Sequence, residues 1–206
     1  MHKKAIILDF DNTIYSAPSI GDQLFARLLE MIEHDRNHQE HMEQLKTDIM
    51  RRPFQVIAKE YNFSEELNQK CIAFLKELTY NGKIEPFDDY QFLRDLTVDK
   101  FLVTTGFYKL QQSKIEGMKI TQDFKEIHIV DPLTSCRTKK DVFAEIMERH
   151  AYQPSDVLVI GDDLHSEIKA AQELGIEAIL YDHSKLNTSV ANITRIENFN
   201  ALKQFI

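Results

Sequence analysis

The feature that most constrains this chain is an apolar run that leads directly into two carboxylates. Residues 5–8 read Ala-Ile-Ile-Leu, and residues 9–13 continue as Asp-Phe-Asp-Asn-Thr. A short run with no alternation between apolar and polar residues is typical of a strand buried on both faces, as in the parallel sheets of α/β proteins. The two acids therefore stand at the carboxyl edge of such a sheet, where α/β proteins bind ligands.

Asp9 and Asp11 are costly residues at that position unless a cation balances them. Side chains alternate along a strand, so both carboxyls point to one side if the extended conformation continues. Burying unpaired carboxylates is unfavourable or shifts their pKa, and Mg²⁺ is the simplest cation to place between them. A polar turn whose Asp or Asn caps the next helix explains the same residues equally well at this point.

Four further apolar runs of strand length predict an α/β fold with a doubly wound, Rossmann-like parallel sheet. They are rich in Val, Ile, Leu or Phe, and segments long enough for a crossover helix separate them. These runs are residues 101–103, 126–130, 157–160 and 178–181.

The segment between the first two strands predicts an inserted all-helical domain. Roughly residues 16–85 contain no convincing strand, and their apolar residues recur at helical spacing. Pro86 marks the return to the sheet. We therefore expect a core formed by residues 1–15 and 86–206, and a helical cap formed by residues 16–85.

Composition favours a cytoplasmic protein and does not exclude small phosphorylated substrates. The chain is 43% hydrophobic and 28% charged, and no apolar stretch approaches the ~20 residues of a membrane span. A net charge of -8 disfavours a surface for nucleic acids or anionic membranes. Cys71 and Cys136 lack metal-site spacing, so we expect reduced thiols. The chain is expected to be a monomer or a homodimer.

Polar residues also follow three of the later strands. Thr104-Thr105-Gly106 supply hydroxyls and backbone N–H groups that suit an anionic phosphoryl oxygen. Lys139 and Lys140 precede a predicted helix, where an ammonium could balance both a phosphate and the acids. Gly161-Asp162-Asp163 end the fourth strand, and Glu167 lies near the start of the next helix. Each segment alone is also typical of a turn, a helix cap or a solvated surface.

Taken in order, these four segments resemble the sequence motifs of the haloacid dehalogenase superfamily. The resemblance spans nearly the entire chain, and the predicted helical insertion resembles the four-helix cap of small-metabolite phosphatases, phosphoglucomutases and nucleotidases in that family. It implies a phosphatase that hydrolyses a small phosphomonoester, such as a nucleotide or a sugar phosphate, through an aspartyl-phosphate intermediate. The implied cofactor is Mg²⁺, and the implied partner is a small phosphorylated metabolite.

The resemblance further implies that Asp9 is the nucleophile and that Asp11 is the general acid for the leaving oxygen. The same Asp11 would then deprotonate the water that releases phosphate. Mg²⁺ would be held by the Asp9 carboxylate, the Asp11 backbone carbonyl and Asp162. Asp163 and Glu167 would either bind the metal directly or act on its ligands.

Around the phosphoryl group, the resemblance implies a hydrogen bond from the Thr104 hydroxyl, assisted by the backbone N–H groups of Thr105 and Gly106. Lys139 would balance the charge of Asp9 and of the phosphate. The register favours Lys139 over Lys140 as the lysine that faces the site.

Other functions remain open at this stage. A phosphomutase of the β-phosphoglucomutase type would use the same residues but return the phosphoryl group to a sugar. A non-catalytic protein that binds phosphorylated metabolites is a further alternative, although it would not need both Asp9 and Asp11. Dehalogenation is disfavoured because relatives that cleave carbon–halogen bonds generally lack the second acid.

Four residues are candidates for substrate specificity. Arg51 and Arg52 precede Pro53 between predicted helices, where a loop could reach over the site. Tyr15 and Phe107 directly follow two of the motifs and could stack on a ring of the substrate. Surface exposure of the arginines and internal packing of the aromatic residues explain the same pattern.

Overall fold

A six-stranded, all-parallel sheet forms the centre of the protein, which the computed structural model describes over residues 2–134, 136–185, 187 and 192–206. The strand order is β3-β2-β1-β4-β5-β6. The strands are β1 (Ala5–Leu8), β2 (Asp99–Thr105), β3 (Glu126–Val130), β4 (Val157–Gly161), β5 (Glu177–Tyr181) and β6 (Thr194–Ile196). This order confirms the predicted doubly wound α/β fold.

Strand β1 lies in the middle of the sheet because all of its side chains are apolar and fully buried. Its alternate side chains pack into separate apolar clusters on the two faces. Leu8, the last residue of β1, pairs with Leu102 of β2 and with Ile160 of β4. The N–H of Asp9 donates to the Ile160 carbonyl at 3.0 Å, which places Asp9 at the carboxyl edge.

The chain leaves β1 towards β2 and later crosses to β4 on the other side of β1. Strand order therefore reverses beside β1, and in open α/β sheets the crevice at such a point is the usual ligand site.

Helices cover the sheet and fill the connection between β1 and β2. They are α1 (Pro18–His34), α2 (Met42–Ile49), α3 (Phe54–Glu60), α4 (Glu65–Glu77), α5 (Tyr90–Asp95), α6 (Tyr108–Met118), α7 (Lys139–His150) and α8 (Lys169–Glu173). Short 3₁₀ turns and one π-helical turn, Leu164–Ile168, lie between them.

We call α1 to α4 the helical segment. Residues 16–85 are all described, and they contain these helices and no strand, as predicted. Apolar residues of the helical segment, such as Leu28 and Ile57, belong to the same buried cluster as Leu8 of the sheet. The division of the chain into a core and a cap at residues 15/16 and 85/86 stays a prediction.

Two further observations bear on the expectations from composition. Within the described ranges, the helices are all too short or too polar to cross a membrane. Cys71 is buried, Cys136 is exposed, and both are free thiols.

Candidate active site

A cavity of about 830 Å³ opens at the carboxyl edge of β1, β2 and β4, between the sheet and the helical segment. The predicted residues Asp9, Asp11, Thr104, Lys139 and Asp162 all line it. Four distant parts of the sequence therefore meet in one crevice. Its volume lies within the ~300–1,000 Å³ that small-molecule sites usually have.

Lys139 is the central cation of this site. It is the first residue of α7, and a capping box between Thr138 and Asp141 fixes the start of that helix. Its buried Nζ donates to Asp9 Oδ1 at 2.5 Å and to Glu167 Oε2 at 2.7 Å. Burial lowers the pKa of the Lys139 ammonium, but the two carboxylates outweigh burial and hold that pKa above its ordinary value.

Lys140, the alternative to Lys139, points elsewhere. Its exposed Nζ contacts Glu173 Oε2 of α8 at 2.8 Å. The structure therefore places Lys139, and not its neighbour, in the cavity.

Glu167 is almost completely buried, at 1% exposure, beside the end of β4. It lies in the π-helical turn, and its Oε1 accepts a hydrogen bond from the Asp163 N–H at 2.7 Å. A Cβ at position 161 would lie 2.3 Å from Glu167 Oε1, so glycine at that position provides the space for this carboxyl.

The side chains of Asp9, Asp162 and Glu167 form a compact acidic cluster. One carboxylate oxygen from each lies within 4.8 Å of the others. Burial raises the pKa of Asp9 to about 7 despite Lys139, and burial together with Asp9 and Glu167 raises the pKa of Asp162 to about 9. Carboxylate oxygens are the ligands that a hard divalent cation prefers, so these residues fit such a cation.

Asp163 does not join this cluster. Its Oδ1 accepts a hydrogen bond from the His165 N–H at 2.7 Å and caps the π-helical turn. Of the two acids predicted either to bind the metal or to act on its ligands, only Glu167 therefore contributes a side chain to the acidic cluster.

Asp11 lies in the same cavity but has different partners. Its Oδ1 accepts hydrogen bonds from Lys114 Nζ, at 2.6 Å, and from the Tyr15 hydroxyl, and its Oδ2 accepts one from Gln111 Nε2 at 2.8 Å. Burial raises the pKa of the Asp11 carboxyl, but Lys114, Tyr15 and Gln111 together hold it below its ordinary value. The two acids one residue apart thus have contrasting electrostatic surroundings.

The predicted phosphate-binding segment is only partly available for a ligand. Thr104 is buried at the end of β2, and its Oγ1 accepts a hydrogen bond from Gln111 at 2.6 Å. Thr105 lines the cavity beside it. The Gly106 N–H, however, donates to the Val130 carbonyl of β3 at 3.1 Å. The expectation that this N–H assists at a phosphoryl oxygen is not met, because it extends the β2–β3 pairing instead.

The four candidates for substrate specificity differ in their burial and in their contacts. Tyr15 is buried at the cavity wall, and its hydroxyl donates to Asp11. Phe107 is largely buried and lines the cavity. Arg51 and Arg52 both line the cavity; Arg52 binds Asp48 and Glu60, at 3.2 and 2.5 Å, whereas the exposed Arg51 has no side-chain ion pair with any described residue.

Sequence reasoning missed Gln111 and Lys114, both on α6. The buried face of this helix carries Leu110, Ile115 and Met118, and the two polar residues occupy that same face. Polar residues at helical positions otherwise filled by apolar ones were a signal that could have identified them.

Comparison with known proteins identifies the family. Residues 6–181 match the family model described as haloacid dehalogenase-like hydrolase. The chain belongs to this family. No curated protein matches the sequence.

Solved structures of this family share the fold at low sequence identity. YfnB from Bacillus subtilis, solved with bound magnesium, is 21% identical, with a TM-score of 0.64 over 100% of this chain and 99% of that one. A HAD phosphatase from Thermococcus onnurineus is 17% identical, with a TM-score of 0.67 and coverage of 98% and 97%. The L-2-haloacid dehalogenase from Xanthobacter autotrophicus is 12% identical, with a TM-score of 0.58 and coverage of 98% of both chains.

These comparisons establish a hydrolase of the haloacid dehalogenase-like family. Phosphatases and dehalogenases both occur among the structural relatives, so the fold alone does not choose between the two reactions.

Replacing Lys139 by Met should destabilise the fold strongly in metal-free buffer. The substitution leaves buried carboxylates without their cation, and breaking a buried ion pair in this way costs about 3–5 kcal/mol. The matched variant Lys140→Met removes a neighbouring but exposed lysine and should change the free energy of unfolding little. Urea unfolding of both variants measures the difference, and equal effects would contradict the central place of Lys139.

Proposed function

We propose that this protein is a Mg²⁺-dependent phosphatase that hydrolyses a small phosphomonoester through phosphorylation of Asp9. The observation that carries the proposal is that Asp9 and Asp11 line one cavity together with the buried ammonium of Lys139. A nucleophilic carboxylate, a second acid and a fixed cation are what a phosphoryl transfer to Asp9 requires. Dehalogenation has no use for the second acid.

In the first step, an oxygen of the Asp9 carboxylate attacks phosphorus, and the bond from phosphorus to the ester oxygen breaks. Asp11 gives its proton to that oxygen, so the alcohol leaves neutral. In the second step, Asp11 takes a proton from water, the water oxygen attacks phosphorus, and the bond from Asp9 to phosphorus breaks. Inorganic phosphate leaves, and both acids return to their starting states.

Lys139 and Thr104 are the groups that would hold the phosphoryl oxygens. The Lys139 ammonium already contacts Asp9, so it can balance the charge of the nucleophile and of the phosphate together. The Thr104 hydroxyl accepts from Gln111, which leaves its own hydrogen free to donate to a phosphoryl oxygen.

Mg²⁺ would be held by Asp9 and Asp162, with Glu167 beside them. When bound, it would neutralise charge on the nucleophile and on the phosphoryl group. The acidic cluster supports this assignment, and so does the magnesium in the YfnB structure.

We further propose that the helical segment acts as a cap that selects the substrate. It contributes apolar residues of the cavity wall, among them Leu24, Phe25 and Phe54. It also contributes Arg51, and Gln55, whose Nε2 is buried with no hydrogen-bond partner among the described residues. An apolar wall with a few polar groups, in a cavity of this volume, favours a ring-bearing phosphomonoester such as a nucleotide over a very small one such as phosphoglycolate.

Asp9→Asn should abolish hydrolysis, lowering turnover by more than about 10³-fold, because the amide cannot accept the phosphoryl group. Free phosphate is measured with Mg²⁺ against nucleotides, sugar phosphates and phosphoglycolate. The control Asp22→Asn changes an exposed acid of α1 and should leave the rate unchanged. Undiminished hydrolysis by the Asp9 variant would contradict the assigned nucleophile, and conversion of a sugar phosphate without release of phosphate would indicate a mutase.

Mg²⁺ should stabilise the wild-type protein, by about 2.7 kcal/mol at a hundred times its Kd, because it binds only the folded acidic cluster. Asp162→Asn should remove most of this stabilisation. Asp163→Asn should retain it, since Asn can still cap the His165 N–H. Thermal unfolding with Mg²⁺ or a chelator gives the comparison. An identical Mg²⁺ response in both variants would contradict the proposed ligand set.

Arg51→Met should raise KM about 10- to 100-fold for a nucleotide substrate, as expected for loss of a charge-assisted hydrogen bond. For p-nitrophenyl phosphate, which has no distal polar group of that kind, KM should stay within about twofold. The neighbouring variant Arg52→Met should leave KM unchanged for both, because Asp48 and Glu60 already hold that guanidinium. Equal effects of the two variants would contradict the role of Arg51.

A further inference from the structure

We propose that Gln111 and Lys114 of α6 are positioning residues, which hold Asp11 and Thr104 in the geometry for phosphoryl transfer. This inference rests on the proposed function and extends it to residues outside the four sequence motifs. It follows from three features of the structure: the burial of Lys114, the double donation by Gln111, and the space left by Gly106.

Lys114 is an unusual residue for the interior of this protein. Its side chain is 4% exposed, and its Nζ donates to Asp11 Oδ1 at 2.6 Å and to the Tyr15 hydroxyl at 3.1 Å. Nζ also lies 5.3 Å from the centre of the Phe10 ring. Within the described part of the chain, Asp11 is its only ion-pair partner. Because lysine is rarely buried unless it is paired, this side chain is placed by Asp11 and fixes Asp11 in return.

Gln111 connects the two groups that the proposed reaction needs side by side. It is 2% exposed, and the two hydrogens of its Nε2 can be donated to Asp11 Oδ2 at 2.8 Å and to Thr104 Oγ1 at 2.6 Å. One amide group therefore sets the distance between the acid at the end of β1 and the hydroxyl at the end of β2.

Gly106 provides the room for this amide. A Cβ at position 106 would lie 3.0 Å from Gln111 Cγ and 3.3 Å from Nε2, closer than side chains normally pack. The lack of a side chain at Gly106 therefore leaves space for Gln111. This role does not depend on the Gly106 backbone N–H. That N–H is already used by Val130.

Together these contacts define the orientation of the Asp11 carboxyl. Oδ1 faces Lys114 and Tyr15, and Oδ2 faces Gln111 on the side of Thr104. Each carboxylate oxygen has a second lone pair, so Oδ2 can carry the proton that the leaving oxygen of a substrate takes up while it still accepts from Gln111. Loss of either donor frees the carboxyl to rotate away from that direction.

A positioning role and a purely structural role differ in how they depend on the leaving group. An alkyl phosphate needs Asp11 to protonate its poor leaving oxygen, whereas p-nitrophenolate leaves without that proton. Misplacing Asp11 therefore impairs the first reaction far more than the second. A loss of general stability impairs both equally.

The test compares kcat/KM for an alkyl phosphomonoester and for p-nitrophenyl phosphate, with Mg²⁺, in Gln111→Met and Lys114→Met. The value of kcat/KM reports the step that forms the phospho-enzyme. We expect kcat/KM of each variant to fall about 10²- to 10⁴-fold for the alkyl ester and less than about 10-fold for p-nitrophenyl phosphate. Matched controls lie on the same helix: Lys109→Met alters an exposed residue and Gln112→Met a half-buried one, neither lines the cavity, and they should change neither value.

The outcomes separate this inference from the function on which it rests. Equal losses for both esters, or no loss, in a folded Gln111→Met protein would overturn the positioning role. Gln111→Met keeps the ion pair between Lys114 and Asp11, so it still provides the test if Lys114→Met does not fold. Lys114→Arg, which retains the charge, should recover part of the alkyl-ester activity. A folded wild type that hydrolyses neither ester would instead contradict the proposed phosphatase, and the positioning role with it.

Discussion

The buried contact of the Lys139 ammonium with Asp9 and Glu167 is the interaction on which the rest of the site depends. Three carboxylates converge beside the end of β4, and without a cation among them they would repel one another or take up protons. Lys139 provides that cation from the first turn of α7, and it thereby connects this helix with the ends of β1 and β4. The capping box that starts α7 and the glycine that makes room for Glu167 both serve this one contact.

A second buried lysine gives the site its asymmetry. Asp9 faces Lys139 and the acidic cluster, whereas Asp11 faces Lys114, Tyr15 and Gln111. Two carboxylic acids that are one residue apart in the sequence therefore have different neighbours, and their pKa values shift in opposite directions. Mg²⁺ beside Asp9 would lower the pKa of that carboxyl, whereas Asp11 must carry a proton against the effect of Lys114 when it acts as the general acid.

Residues whose positions follow from local pattern could be predicted from the sequence. The five longer strands follow from apolar runs, and the helices between β1 and β2 follow from apolar residues at helical spacing. The meeting of Asp9, Thr104 and Asp162 follows from polar residues at strand ends, and that of Lys139 from its place before a predicted helix. Strand β6 could not be predicted, because three residues with a single buried side chain carry no visible pattern. Gln111 and Lys114 were missed because their partners are about a hundred positions away, and the use of the Gly106 N–H depends on pairing with β3.

The central claim is that Asp9 accepts the phosphoryl group between Lys139 and a divalent cation. A crystal structure with Mg²⁺ and fluoroberyllate, which mimics an aspartyl phosphate, tests it most directly. The account predicts beryllium bonded to an Asp9 carboxylate oxygen, Lys139 Nζ within hydrogen-bond distance of a fluoride, and Mg²⁺ between Asp9 and Asp162. Beryllium bonded to another residue, or Mg²⁺ bound away from Asp162, would contradict it.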